Sequence, residues 1–283
     1  MTDLRKAYPD DFDAAYPLLA AFNNPNLGQT EWQRLFQPRW RSPYEHIGYL
    51  LEDGGRAVGF MAAIYAKRPL KARQEVFCSL SSWRVLPPYR QESLGMLVAA
   101  LKEPGVTYTD FTGNKVAPLL RSFGFRQLGE QYYILLPLPT WAGVTHGCRL
   151  VWEGAEIEAG LSGGALQTYH DHADMLCRHA LLQTPDGNCH LIYRPAYKKR
   201  LPVAQVLYLS DRAVFQRHAA HAATAFCLRE RVAGLMVNGH MLTQPPAAAL
   251  TVPQRQSFLF RSKSVLPEEM DYLYSELVLL GVS

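Results

Sequence analysis

The residues best suited to chemistry lie in one segment of the first half of the chain. Residues 76–97 read VFCSLSSWRVLPPYRQESLGML, an apolar strand pattern that ends at a double proline and is followed by a helix pattern. The polar connection contains two small residues, Ser93 and Gly95. Free backbone N–H groups at the start of a helix bind phosphate, and small residues let a pyrophosphate approach the backbone. The spacing is typical of a pyrophosphate site, or of an ordinary connection between a strand and a helix.

Two other groups of residues carry weaker chemical patterns. His170 and Asp174 share one helical face and His172 and His179 another, so each face offers two metal ligands. A zinc site needs three or four protein ligands, so we expect a polar helix surface and no metal. Residues 198–200 read Lys-Lys-Arg; they either meet a phosphate or form a solvated turn, and the turn is the preferred interpretation.

Composition narrows the class of protein. The chain has 283 residues, of which 48% are hydrophobic and 19% charged, enough to fill a core or two. The formal charge of +4 and the scattered basic residues predict no nucleic-acid partner. No apolar run reaches the ~20 residues of a membrane-spanning helix, and the polar start MTDLRKAYPDDF is no secretory signal. Five cysteines without a CxxC pair indicate a reducing compartment, so we expect a cytoplasmic protein.

The elements around the chemical segment alternate between strands and helices. Hydrophobic periodicity predicts strands in 49–65, in 75–86 and in 107–111, with a helix over 92–102. Residues 138–147 are rich in Pro and Gly and predict a linker, after which 148–283 repeats the alternation more weakly. We therefore predict an α/β protein with mixed (α+β) sheets and two domains, 1–137 and 148–283, the second a degenerate copy of the first.

Two motifs in residues 1–137 resemble the GCN5-related N-acetyltransferase (GNAT) superfamily. Val-x-Pro-x-Tyr-Arg over 85–90, followed by small residues, resembles the acyl-CoA signature Arg/Gln-x-x-Gly-x-Gly/Ala, with Ser93 in place of the first glycine. Asn114 and then Leu120 to Phe125 resemble the family's Asn…Leu-Tyr-x-x-x-Gly-Phe stretch. The resemblance implies a tandem of two GNAT-like lobes, in which acetyl-CoA or another acyl-CoA enters a splayed sheet as the co-substrate.

The same resemblance assigns residues to the cofactor. It implies that the backbone of Val85 and Leu86 pairs with the pantetheine and that the amides of Gln91 to Gly95 hold the pyrophosphate. The complete set of implied cofactor residues is Val85, Leu86, Arg90, Gln91, Glu92, Ser93, Leu94, Gly95 and Asn114.

Catalytic residues transfer less directly from the family. The family's Tyr general acid corresponds to Leu120, which cannot donate a proton. Glu75, near the start of the fourth strand, is the candidate general base, or else a solvated carboxylate at a strand end. Cys78 is a nucleophile or, as cysteines usually are, a buried packing residue. Strict alternation along this strand places Trp83 and Val85 on the face opposite Cys78.

These observations predict an acyl-CoA-dependent N-acyltransferase, with acetyl-CoA as donor and an amine or hydroxyl of a small molecule or glycan precursor as acceptor, held between the lobes. Residues 80–87 are faintly similar to acyltransferases found with bacterial surface-polysaccharide enzymes, which points to a sugar. The alternative is a non-catalytic acyl-CoA-binding or scaffold protein, favoured by Leu120 and Ser93. The second lobe lacks a small-residue turn at Ser210 to Arg212, so we predict no CoA site there.

Overall fold

The computed structural model describes residues 2–70, 73–113, 115–137, 147–246, 249–254 and 256–281. The described residues form two sheets, whose strands in chain order are β1 (Thr2–Ala7), β2 (Gly48–Asp53), β3 (Arg56–Leu70), β4 (Arg73–Val85), β5 (Val106–Thr112), β6 (Arg126–Leu128), β7 (Gln131–Leu135), β8 (Arg149–Val151), β9 (Arg178–Thr184), β10 (Gly187–Lys198), β11 (Leu201–Leu209), β12 (Leu235–Asn238), β13 (Ala249–Pro253) and β14 (Ser257–Arg261).

The α-helices of the described residues are short. In chain order they are α1 (Phe12–Ala20), α2 (Gln29–Gln33), α3 (Ser93–Ala100), α4 (Ala117–Ser122), α5 (Gly154–Ala159), α6 (Gly163–His172), α7 (Arg212–Arg217), α8 (Ala219–Glu230) and α9 (Glu276–Leu279). None of the helices in this part of the chain is both long and apolar enough to cross a membrane.

The first sheet has the strand order β1-β2-β3-β4-β5-β14-β6. Strands β1 to β4 pair in antiparallel fashion, and β4 and β5 pair in parallel. The hairpin between β2 and β3 turns at Gly54 and Gly55, whose φ angles of 57° and 80° suit glycine. A buried cluster on one face of the sheet joins β4 to α3 and α4 through Leu80, Leu97 and Leu120.

The second sheet repeats this arrangement. Its order is β13-β7-β12-β11-β10-β9-β8, with β8 to β11 antiparallel and β11 parallel to β12. Strands β8 to β12 therefore take the positions that β1 to β5 take in the first sheet. The predicted fold class, two α/β mixed sheets of the same kind in tandem, is confirmed.

The two compact units divide the chain differently from the predicted domains. The first unit consists of Met1–Arg126, Phe258–Val265 and Tyr274–Ser283, and the second of Gln127–Ser257 and Leu266–Leu273. The physical reason is an exchange of strands: β14, from the end of the chain, lies between β5 and β6, whereas β7 lies between β12 and β13. Residues 138–146 of the predicted linker are outside the described residues.

This exchange predicts how fragments of the chain behave. Residues 1–137 expressed alone lack β14, whose Phe258, Leu259 and Phe260 are at most 1% exposed. Residues 147–283 alone lack β7, which lies between β12 and β13 in the interior of the second sheet. We expect neither fragment to show a cooperative unfolding transition by circular dichroism, and the two to fold and co-purify when co-expressed. Cooperative unfolding of isolated 1–137 would contradict the exchange.

Candidate functional site

A cleft in the first unit begins where β4 and β5 separate. The parallel pairing runs from Val76 and Val106 to Leu80 and Asp110 and stops there, although β4 continues to Val85. The residues that follow the last pair on both strands line a cavity of about 680 Å³. A cavity of this size is within the usual range of ligand sites.

A bulge in β4 accompanies the separation. Ser81 pairs with Ala62 of β3 and Arg84 with Phe60, so β4 has one residue more than β3 over this stretch. Ser82 takes up the irregularity with a φ of 51°, a left-handed conformation that few non-glycine residues adopt.

The bulge reverses the side-chain alternation of β4. Trp83 and Val85 pack against the same buried cluster as Cys78 and Leu80, on the face of α3 and α4. The predicted alternation, with Trp83 and Val85 opposite Cys78, is therefore wrong beyond Ser82, because one extra residue shifts the pattern by one position.

Asp110 is the carboxylate at the point of separation. Its residue is 9% exposed and lines the cleft, and no basic side chain of the described residues forms an ion pair with it. Burial raises the pKa of Asp110 to about 8, against the lowering effect of a hydrogen bond with Thr112. A carboxyl with a pKa in this range can accept a proton near neutral pH, as a general base must.

Glu75, the carboxylate proposed from sequence as the base, lies at the other end of β4. It pairs in register with Arg68, five residues before Leu80, which is ~17 Å along the strand. Arg73 Nε donates to Glu75 Oε1 at 2.8 Å, and Ser264 Oγ donates to Glu75 Oε2 at 3.0 Å. Glu75 is not among the residues lining the cleft. The structure brings Asp110, not Glu75, to the cavity.

The residues predicted to bind the cofactor fall into three groups. Four of them line the cleft: Val85, Leu86, Arg90 and Ser93. Four lie in the same turn and first helical turn without lining it: Gln91, Glu92, Leu94 and Gly95. Asn114 lies outside the described residues.

Val85 and Leu86 differ in what their backbone can offer. The N–H of Leu86 donates to the carbonyl oxygen of Val58 at 2.8 Å and so points towards β3. Successive N–H groups of a strand point to opposite edges, so the N–H of Val85 points to the side where β5 has moved away. Val85 is therefore the residue of this pair whose backbone can bind a ligand in the cleft.

The fold does not require a glycine at Gly95, the third residue of α3. Residues Pro87–Glu92 form a 3-10 helix, and Ser93 Oγ donates to the carbonyl oxygen of Arg90 at 2.6 Å. A Cβ atom on Gly95 would meet only Leu4 Cδ2, at 3.6 Å, which is ordinary contact. The fold tolerates a side chain at this position, so replacing Gly95 probes ligand access and not folding.

Leu120 and Cys78 do not reach the cleft. Both are 0% exposed and belong to the buried cluster between the sheet, α3 and α4. Burial raises the pKa of the Cys78 thiol above its ordinary value, which leaves it protonated at neutral pH. The packing interpretation of Cys78 holds, and Leu120 fills core space where the family places a tyrosine.

The two histidines of α6 singled out in the sequence make separate contacts. His170 Nε2 lies 2.8 Å from Glu158 Oε1 on the surface, as expected for a polar helix face. His172, expected on that surface, is instead fully buried, and its Nδ1 lies 2.9 Å from the carbonyl oxygen of Thr168. In the described ranges no group of three His, Cys, Asp or Glu side chains could hold a metal ion.

The second unit has a strand separation of its own, and the chain fills it. Parallel pairing of β11 and β12 ends at Gln205 and Met236. Beyond this point the N–H of Tyr272 donates to the carbonyl oxygen of Leu207 at 3.0 Å. Tyr272 is 1% exposed, and Asn238 Nδ2 donates to its hydroxyl. The segment Leu266–Leu273 thus occupies in this unit the position that is open in the first.

The turn after β11 also differs from the turn after β4. Asp211 caps α7, and its carboxylate accepts a hydrogen bond from the N–H of Val214 at 2.8 Å. A carboxylate at this position repels a phosphate and uses an N–H group that would otherwise bind it. Both features support the prediction that the second unit has no CoA site.

Comparison with known proteins bears on the fold. No family model matches the chain, and no curated protein matches it. A GCN5-related N-acetyltransferase from Anabaena variabilis superposes with a TM-score of 0.56 at 11% identity, covering 93% of this chain and 73% of that one. A probable N-acyltransferase of unknown function from Enterococcus faecalis gives 0.58 at 14%, covering 93% and 72%.

A tandem GNAT protein from the clavulanic acid biosynthesis pathway gives a TM-score of 0.51 at 14% identity, covering 93% of this chain and 98% of its own. Similarity at this level of identity establishes the fold. Together with the two sheets and their strand order, it shows that this chain has the fold of the GCN5-related N-acetyltransferases, with two such units in one polypeptide.

Proposed function

We propose that this chain is an acyl-CoA-dependent N-acyltransferase that binds its donor, acetyl-CoA, in the cleft of the first unit. One observation carries the proposal: β4 and β5 separate beside a bulge and leave a cavity with a buried carboxyl, Asp110, at its origin. The shared fold with N-acetyltransferases supports it.

The donor side of the cleft is the face of α3. There the backbone of Val85 is available to an amide of the pantetheine, as an added strand would use it. Arg90 and Ser93 line the cleft where the 3-10 helix passes into α3. The N–H groups of this helix start and the Arg90 guanidinium suit a pyrophosphate. The thioester then lies near the separation of the strands.

Asp110 acts as the general base in this proposal. The carboxylate takes a proton from the acceptor's ammonium group, and the amine nitrogen attacks the thioester carbonyl carbon. The carbon–sulfur bond breaks as the amide forms; the electron pair leaves with the CoA thiolate, and the second proton of the nitrogen passes to solvent. A thiol of ordinary pKa, ~8.5, is a tolerable leaving group without an acid, which fits the hydrocarbon at Leu120. The acceptor is a small-molecule amine or hydroxyl, amino sugars included.

A second candidate is a protein that binds acyl-CoA without turning it over. The observation that favours it is the buried position of Leu120, which leaves the family's usual proton donor absent from the cleft. The two candidates differ in one measurement, since only the enzyme releases free CoA thiol when acetyl-CoA and a panel of amines are supplied.

Replacing Gly95 with glutamate tests the donor site. The added carboxylate would stand beside the pyrophosphate, so we expect the Kd for acetyl-CoA, measured by calorimetry on the full chain, to rise at least about tenfold. Val98→Glu is the matched control, because it adds the same charge to an exposed position of the same helix, away from the cleft. If Gly95→Glu binds acetyl-CoA as tightly as the parent does, the donor does not bind at this turn.

Replacing Asp110 with asparagine tests the base. Since the pKa of Asp110 is raised to about 8, kcat/KM of the parent is expected to rise with pH and level off above that value. Asp110→Asn should lower kcat by ~10²–10⁴ and abolish this inflection, with the acetyl-CoA affinity unchanged. Glu75→Gln, the control carboxylate of the same sheet, should keep the parental rate. Loss of activity in Glu75→Gln alone would reverse the assignment.

The burial of Asp110 also predicts a dependence of stability on pH. With a folded pKa of about 8 and an ordinary value of 3.8, the folded chain holds a proton that the unfolded chain has lost. The free energy of unfolding of the parent should therefore fall as pH rises through this window, by up to ~1.4 kcal/mol per pH unit. The asparagine of Asp110→Asn does not titrate. The free energy of unfolding of this variant minus that of the parent, measured with denaturant, should therefore be larger at pH 8.5 than at pH 5. A constant difference would contradict the buried carboxyl.

A further inference from the structure

Arg84 is a cation in the cleft that the donor site does not use. It follows the bulge on β4, next to Val85, and its side chain points to the opposite face of the sheet from Trp83 and Val85. Its guanidinium lies over the ring of Phe22, 5.4 Å from the centroid, and it lines the cavity.

The guanidinium of Arg84 has no carboxylate partner in the described part of the chain. Two other arginines of the first unit do form ion pairs, Arg5 with Asp11 and Glu52, and Arg73 with Glu75. Arg84 forms neither an ion pair nor a hydrogen bond with the described residues, and the contact with Phe22 holds its planar group in place. A half-buried, oriented guanidinium without an anion on a cavity wall is suited to bind a carboxylate or phosphate of a ligand.

The anion for Arg84 does not come from the donor. The helix start and Arg90, which suit the donor's phosphates, lie on the face of α3, whereas Arg84 lies on the face of Phe22. The wall on this second face contains Phe22, Asn24, Leu27, Trp32, Arg84 and Glu276. Asp110 lies where the strands separate and lines the same cavity as Arg90 and Arg84.

We infer that the acceptor is a small amine that also carries an acidic group, and that Arg84 binds this group while Asp110 receives the ammonium. The inference rests on the proposed function and names the acceptor class for that site. A carboxylate and a phosphate share the required chemistry, since both accept two parallel hydrogen bonds from a guanidinium. An amino sugar without an acidic group offers Arg84 no anion and is a poorer acceptor.

Matched pairs of acceptors test this on the full chain with acetyl-CoA. The carboxylate arm compares phenylalanine with phenethylamine and glutamine with 4-aminobutanamide; the phosphate arm compares glucosamine 6-phosphate with glucosamine. In at least one arm we expect kcat/KM of the acidic member to exceed that of its counterpart by about tenfold or more. The arm that responds identifies the acidic group. Equal or better turnover of the members without an acidic group, in both arms, overturns the inference.

Variants then assign the preference to Arg84. In Arg84→Gln the KM for the acidic acceptor should rise about tenfold, with the KM for acetyl-CoA unchanged, and Arg84→Lys should recover part of the loss. Arg126→Gln is the matched control, because Arg126 also stacks on a phenylalanine, Phe260 at 4.7 Å, and does not line the cleft. A preference that survives in Arg84→Gln overturns the assignment.

Failure of the proposed function has a different signature. A parent that binds acetyl-CoA and acylates no member of the panel contradicts the enzyme, and calorimetric titration of the CoA-bound chain with the acidic members then decides about Arg84. Binding by the parent and by Arg126→Gln, lost in Arg84→Gln, supports the anion site. Equal binding by all three, or no binding by the parent, overturns it. Thermal unfolding of each variant checks that loss of binding is not loss of fold.

Discussion

The open end of the β4–β5 pairing is the constraint on which the first unit depends. A parallel ladder that stops in the interior leaves backbone groups without partners, and buried backbone groups need partners. The bulge adds its own cost, because a left-handed serine such as Ser82 is strained by ~1–3 kcal/mol. The surrounding packing of α3 and α4 holds this arrangement in place. The cavity, the open backbone of Val85 and the burial of Asp110 all follow from it.

The separation of two parallel strands occurs in both units, but within the described residues only the first unit has an open cleft beside it. In each sheet a parallel pair ends early, β4 with β5 and β11 with β12, but in the second sheet the N–H of Tyr272 donates a hydrogen bond to Leu207 beyond that end. A segment of the chain itself supplies a backbone hydrogen bond along β11, as a bound pantetheine is proposed to do along β4. The closed core of the second unit is consistent with the prediction that it has no CoA site. A tandem of equal folds therefore need not be a tandem of equal functions.

The fold was predictable because the motif that indicates it is a contiguous stretch of sequence. The site was not predictable because strand pairing brings its residues together from separate stretches. The strand, double proline and polar turn of residues 76–97 stand side by side in the sequence. Asp110 belongs to no motif that the sequence shows, and its position opposite Leu80 at the end of the pairing is what places it at the cleft. Ser82 gives no sign of a bulge, since the usual sign is glycine. The exchange of β7 and β14 also leaves no mark in the sequence, because a strand pattern does not indicate which sheet the strand joins.

Charge links the two sides of the proposed reaction. In the empty cleft Asp110 carries a proton more readily than an ordinary carboxyl, because burial disfavours its charge. An ammonium group placed beside it favours the carboxylate again, so binding of the acceptor itself would charge the base. An acceptor that also bears an anion carries two opposite charges, which meet Asp110 and Arg84 separately. Each charge of such a molecule exchanges water for a fixed partner of opposite sign, which offsets the cost of its desolvation.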